Sequence, residues 1–142
     1  MTPLNIAIIL FMLLESANVL TLYFQPGSRI SNGVGVFNAW EKSRADPELH
    51  DFIRYLVYWV AGTKLIFIAL LAVILITAGA TTRLLTVVAL IASILSFFWR
   101  LFPIIRRLDK AGQITPVGYS KTLGYMITTF IGFFAIALFL SL

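Results

Sequence analysis

Cysteine is absent from this 142-residue chain, histidine occurs once, and only 12% of the residues are charged. Without a thiol there is no disulfide, no thiolate metal site and no cysteine nucleophile. With His50 as the single histidine, a bis-histidine haem or a multi-histidine metal centre within one chain is excluded. A soluble domain carries about 25% charged and about 45–50% apolar residues; here 60% are hydrophobic and the mean hydropathy is +0.95. That balance excludes a cytosolic enzyme, a nucleic-acid-binding domain and a disulfide-stapled secreted module. Phosphate loops are missing as well. Gly33-Val34-Gly35 fits neither GxGxxG nor a GxxxxGK motif, and no strand pattern precedes it. No cofactor and no nucleic acid are expected.

What the chain has instead is four long apolar runs, at about residues 4–24, 55–78, 84–102 and 117–140. A membrane helix needs about 20 mainly apolar residues to cross roughly 30 Å of hydrocarbon, and each run meets or approaches that length. The runs are punctuated. Asp46-Pro47-Glu48 reads as an N-cap, a first-turn proline and an acid facing the helix dipole, so the second helix starts near Pro47, about two turns ahead of its span. Thr115-Pro116 reads as the same device before the fourth span, Thr82 as a cap for the third, and Pro103 as the point where the third weakens. The N-terminal run lacks a basic flank and a small-x-small cleavage site, so the first span is expected to be a retained anchor.

The net charge of +5 is read as orientation and lipid contact rather than as a nucleic-acid signal. Arg29, Lys42, Arg44, Arg54, Arg100, Arg106, Arg107, Lys110 and Lys121 flank one end of the spans, and Arg83 alone flanks the other. Nine against one predicts that the loops at 25–54 and 103–116 are cytoplasmic and that both termini face away. All three Trp and all five Tyr fall on the same side. The expected architecture is an all-α integral membrane four-helix bundle, one domain over residues 1–142, most consistent with a bacterial cytoplasmic (inner) membrane. No internal repeat is found.

Within the larger loop, residues 34–44 read as a short interfacial helix, with Val36, Phe37 and Trp40 toward lipid and Glu41, Lys42 and Arg44 toward water. Arg29, Trp40, Lys42, Arg44, Arg100, Arg106, Arg107 and Lys110 are the candidate contacts for anionic lipid headgroups or a protein partner. For Arg106, Arg107 and Lys110 a plain topology signal is the simpler explanation.

Two ionisable residues fall deep in spans. Glu15 lies about 15 Å before the end of the first span, and Lys64 about 15 Å past Arg54 on the antiparallel second, at roughly 1.5 Å per residue. Matching depth predicts an ion pair, with Asn18 one turn from Glu15 completing the hydrogen bonding. A register-fixing pair is preferred over a proton- or ion-coupled site, because no chain of relay residues accompanies it. Glu48, His50 and Asp51 form the one concentration of acid–base groups, but without the positioned nucleophile and electrophile a catalytic site needs. Gly124, Thr128, Gly132 and Ala135 form a small-residue stripe suited either to packing inside the bundle or to a homo- or hetero-oligomer interface. Two function classes follow: a non-catalytic accessory or structural subunit, and a small oligomeric transporter or channel using Glu15, Asn18 and Lys64.

Overall fold

Proline and a capping side chain start both helices of the first hairpin. In the computed structural model, which describes residues 2–141, helix α1 (Pro3–Phe24) opens with the Thr2 hydroxyl accepting from the Asn5 N–H at 3.3 Å and with Pro3 in the first turn. Helix α3 (Pro47–Thr77) opens in the same way, Asp46 Oδ1 accepting from the Leu49 N–H at 3.1 Å with Pro47 behind it. Both pairs satisfy an N–H that has no partner inside the helix, and proline is tolerated where no N–H is needed. The remaining helices are α2 (Asn38–Ser43), α4 (Ala80–Leu95), α5 (Leu101–Lys110) and α6 (Tyr119–Phe139), with 3-10 turns at Val34–Val36 and Ser96–Phe98. Helix α3 has 31 residues, about 46 Å at 1.5 Å each, so it overshoots roughly 30 Å of hydrocarbon. Four runs, Pro3–Phe24, Pro47–Thr77, Ala80–Lys110 and Tyr119–Phe139, are long and apolar enough to cross a membrane.

Helix α1 is the centre of the bundle and packs against α3, α4 and α6. Ala7 and Ile8 on α1, Val87 on α4 and Phe134 on α6 are fully buried. Phe11 meets the rings of Phe67, Phe130 and Phe134 edge-on, with centroids 5.8, 6.0 and 5.3 Å away. Nearer the loops, Val19 and Leu22 of α1 pack on Val57 and Ala61 of α3.

The third span breaks earlier than the sequence suggests. The break is at the 3-10 turn Ser96–Phe98 and Arg100, not at Pro103. Pro103 sits in the first turn of α5, where its missing N–H costs nothing. Residues 103–110, read from sequence as loop, are therefore helical. Ile105 is buried against Leu123 of α6, while Arg106, Arg107 and Lys110 are exposed, so the segment is an amphipathic helix whose charged face resembles a loop. Two capping expectations also fail. Helix α4 starts at Gly79 without a side-chain cap, which puts Thr82 inside the first turn. Helix α6 starts at Gly118, whose φ of +86° needs the left-handed region, so Thr115-Pro116 lies outside it.

The cap of α6 comes from α5. The Asp109 carboxylate accepts from the Gly118 N–H and the Ser120 N–H, each at 2.9 Å. The Ser120 hydroxyl, followed by those two N–H groups, holds the Asp109 carboxyl below its ordinary value of 3.8. A depressed carboxylate gives stability that is complete above the ordinary value and is lost as pH falls through the lower folded one. Asp109→Ala is expected to cost about 1 kcal/mol at neutral pH, as other N-caps do, and to remove this acid-labile component. Thermal midpoints of the two proteins in micelles, followed from neutral pH to below 3.8, check it; parallel curves would refute the cap.

The two large loops are joined to each other. Phe37 and Ile114 form an isolated antiparallel bridge, the Asn38 N–H donates to the Gln113 carbonyl at 2.9 Å, and the Thr115 N–H donates to the Val36 carbonyl at 2.8 Å. Side chains add to it: Asn38 Nδ2 donates to the Gly112 carbonyl at 3.0 Å, and Lys42 Nζ to Gln113 Oε1 at 2.8 Å. At the opposite end, Arg83 donates to Asn5 Oδ1 at 3.2 Å and to the Leu75 carbonyl at 3.1 Å, tying α1, α3 and α4 together.

Candidate functional site

Glu15 and Lys64 meet because α1 and α3 run antiparallel and place them at one depth. Lys64 Nζ donates to Glu15 Oε2 at 2.6 Å and to Asn18 Oδ1 at 2.5 Å. Asn18, only 5% exposed, uses its other end as well: its Nδ2 donates to the Ser31 carbonyl. That carbonyl is delivered by a tight reversal in which Ser31 and Asn32 take φ of +52° and +56°, a left-handed conformation that Asn adopts more readily than most residues. Asn32 Oδ1 in turn accepts from the Tyr119 hydroxyl of α6 at 3.3 Å. The polar cluster therefore joins α1 to α3 directly and to α6 through the loop. Its two charges cancel, and Lys64 and Asn18 each make two bonds within the chain. Nothing in the residue spacing pointed to Ser31, because a backbone carbonyl leaves no mark in sequence.

The basic residues sort into engaged and free. Arg44 pairs with Glu41 at 3.3 Å, Arg54 with Asp51 at 3.3 Å, and Lys42 with Gln113. Arg100 lies over the Trp99 ring, 5.2 Å from its centroid. Arg29, Arg106, Arg107 and Lys110 are exposed and have no side-chain partner among the described residues.

Trp40 departs from its expected role. It is 5% exposed and Val36 1%, so both point into the protein rather than toward lipid. Trp40 packs on the His50 ring, with centroids 4.7 Å apart. The 34–44 segment is a 3-10 turn followed by the six-residue α2, folded over an interior of its own. An apolar side chain suits lipid and protein equally well, which is why spacing alone assigned it to the wrong one. Trp40 Nε1 is buried without a partner.

His50 engages Ser43 rather than the neighbouring acids. Its Nδ1 is 2.8 Å from Ser43 Oγ, and that hydroxyl also donates to the Trp40 carbonyl at 2.8 Å. Ser43 is 1% exposed, so the pair braces α2 against α3 and offers no accessible nucleophile. Glu48 and Asp51 are exposed, and Asp51 is taken up by Arg54. Among the described residues no group of three His, Asp or Glu is placed to hold a metal.

The small-residue stripe is divided. Gly124 is buried, and a Cβ there would lie 3.0 Å from the Phe102 ring of α5, which would have to give by a few tenths of an ångström to admit it. Thr128, Gly132 and Ala135 are exposed, and Gly132 has open space beside it. Ala89, Ala92, Ser93 and Ser96 of the third span are exposed too, because α4 meets α6 through Val87, Leu90 and Ile91 instead.

Four apolar helices and a neutralised ion pair between two of them define a small integral membrane protein of helical-bundle type. No family model, curated protein or solved structure matches the chain, so its function is argued from its own residues.

Proposed function

We propose that the chain is a non-catalytic accessory or structural subunit of a membrane complex, presenting a basic, aromatic cytoplasmic face to lipid or to a partner protein. The closure of Glu15, Asn18 and Lys64 on one another within a single chain carries this reading. A transport site needs a group that exchanges its partner, whereas a locked pair fixes the register of two helices. The free cations Arg29, Arg106, Arg107 and Lys110 at the loop end support it, as does the positive-inside bias, from which we read this end as cytoplasmic and the membrane as a bacterial inner one. The exposed Thr128, Gly132 and Ala135 give a second membrane helix a surface it can approach closely.

The mass of the intact assembly, extracted in native lipid, tests the proposal. A reproducible heterologous partner is the expected result. A defined homo-oligomer with no partner would overturn it and favour a transporter or channel built on Glu15 and Lys64. The same preparation tests the charged face of α5. Replacing Arg106, Arg107 and Lys110 by Gln is expected to reduce the anionic lipid retained around the protein, since each surface cation contributes about 1 kcal/mol of attraction to an anionic leaflet. Unchanged lipid composition would leave these residues a topology signal only.

A further inference from the structure

An apolar groove runs between α1 and α6. It encloses about 600 Å³ and is lined by Leu10, Phe11, Leu14, Met126, Phe130 and Phe133, with few polar atoms. Toward the loops it shares Leu14, Met126 and Phe130 with a second cleft of about 350 Å³, whose lining adds Arg29, Asn32 and Tyr119. From Tyr119 to Phe133 along α6 is about 21 Å at 1.5 Å per residue, more than the roughly 15 Å of one leaflet's hydrocarbon. The two hollows adjoin along α1 and α6, the first almost wholly apolar and the second, at the loop-side mouth, with a cation in its lining.

We infer that this groove holds an acyl chain of one anionic phospholipid, whose phosphate is seated on Arg29. The inference rests on the membrane reading of the helices and not on the accessory role. Arg29 is exposed and has no side-chain partner among the described residues, so its guanidinium is free to accept a phosphate bidentately. The one carboxylate lining the mouth is Glu15, and Lys64 neutralises it at 2.6 Å. Asn32 lines the same cleft as Arg29; its Oδ1 already accepts from the Tyr119 hydroxyl, which leaves its Nδ2 to donate to a headgroup oxygen. Charge also decides between lipid and a second copy of this chain. The loop end carries nine basic residues against Glu41, Asp46, Glu48, Asp51 and Asp109, so two copies would bring like charge together there while an anionic headgroup relieves it.

Mass measurement of the full chain released from detergent tests the site, using dioleoylphosphatidylglycerol and dioleoylphosphatidylcholine as probes. One phosphatidylglycerol retained per chain, in preference to phosphatidylcholine, is expected. Arg29→Gln should lower that preference roughly five- to tenfold, while Arg29→Lys keeps most of it. Met126→Trp, which fills the groove, should reduce retention of both lipids. The triple Gln variant at Arg106, Arg107 and Lys110 should leave this single lipid in place. Equal retention of the two lipids by the native protein would overturn the site, as would an Arg29→Gln variant with unchanged preference. A dimer that Met126→Trp dissociates would assign the groove to a second copy. A partner protein appears in the same spectra at its own mass, so loss of the lipid site and loss of the accessory role are separately visible.

Discussion

Replacing Lys64 by Met is expected to lower the unfolding free energy by about 3 kcal/mol or more, and Glu15→Gln by a similar amount. The double variant should recover most of the loss. Removing one partner leaves the other's formal charge at membrane depth without its counter-charge, whereas removing both leaves only neutral groups there. Lys64 is the more damaging loss of the two, because Asn18 Oδ1 forfeits its 2.5 Å donor along with Glu15. The non-additivity is the informative quantity, since residues in one network couple by about 0.5–3 kcal/mol. Denaturant titrations of the three variants in mixed micelles measure it. Costs that simply add would mean that the two charges are stabilised by something other than each other.

Gly35→Ala should be nearly as severe, although it adds one carbon. A Cβ at Gly35 would overlap the Gly27 carbonyl oxygen and lie 2.6 Å from its carbon. The obstacle is backbone, which has no rotamer to change, so the loop must part. The bonds from the Val34 N–H to the Pro26 carbonyl (2.9 Å) and from the Gly35 N–H to the Ser28 carbonyl (3.0 Å) would go with it. Overpacking usually costs about 1–3 kcal/mol, and this case belongs at the upper end. Gly132→Ala is the matched control. It meets open space, and alanine in a helix is worth about 0.5–1 kcal/mol over glycine, so that variant should be as stable as the native protein or more so. Limited proteolysis between residues 25 and 46 should accelerate in the first variant alone. If the two alanine variants behave alike, the crowding at Gly35 is not what holds the loop.

How much of this was legible in the residues depended on whether the cause was local. The four apolar runs and the Asp46-Pro47 helix start are written in adjacent positions, and each is found in the structure, the third run with its break at Ser96–Phe98. The juxtaposition of Glu15 and Lys64 needed only the rise per residue and an antiparallel hairpin. Asp109 was invisible as a cap because its partner Ser120 is eleven positions away on another helix. Arg83 counted only as a charge on the far side, when its work is to bind Asn5 and the Leu75 carbonyl. The glycines at 33 and 35 were recognised as no phosphate loop, but their actual requirement, room for the 27–28 backbone, depends on how the loop folds back.

The bridge between Phe37 and Ile114 has a bearing on the order of assembly. Its partners are 77 positions apart and belong to different hairpins, so it cannot form while the first hairpin stands alone. Closing so long a segment carries an entropic penalty that independent insertion of α1–α3 and α4–α6 removes in advance, by bringing the two loops to the same membrane face. The junction at Val36, Asn38, Gln113 and Thr115 is therefore expected to be a late-forming latch, available only once residues 113–115 have reached the same face as the first loop. A chain stalled before residue 113 would hold its first hairpin with the 34–43 segment still open, a state a protease or a chaperone at that face could distinguish from the finished protein.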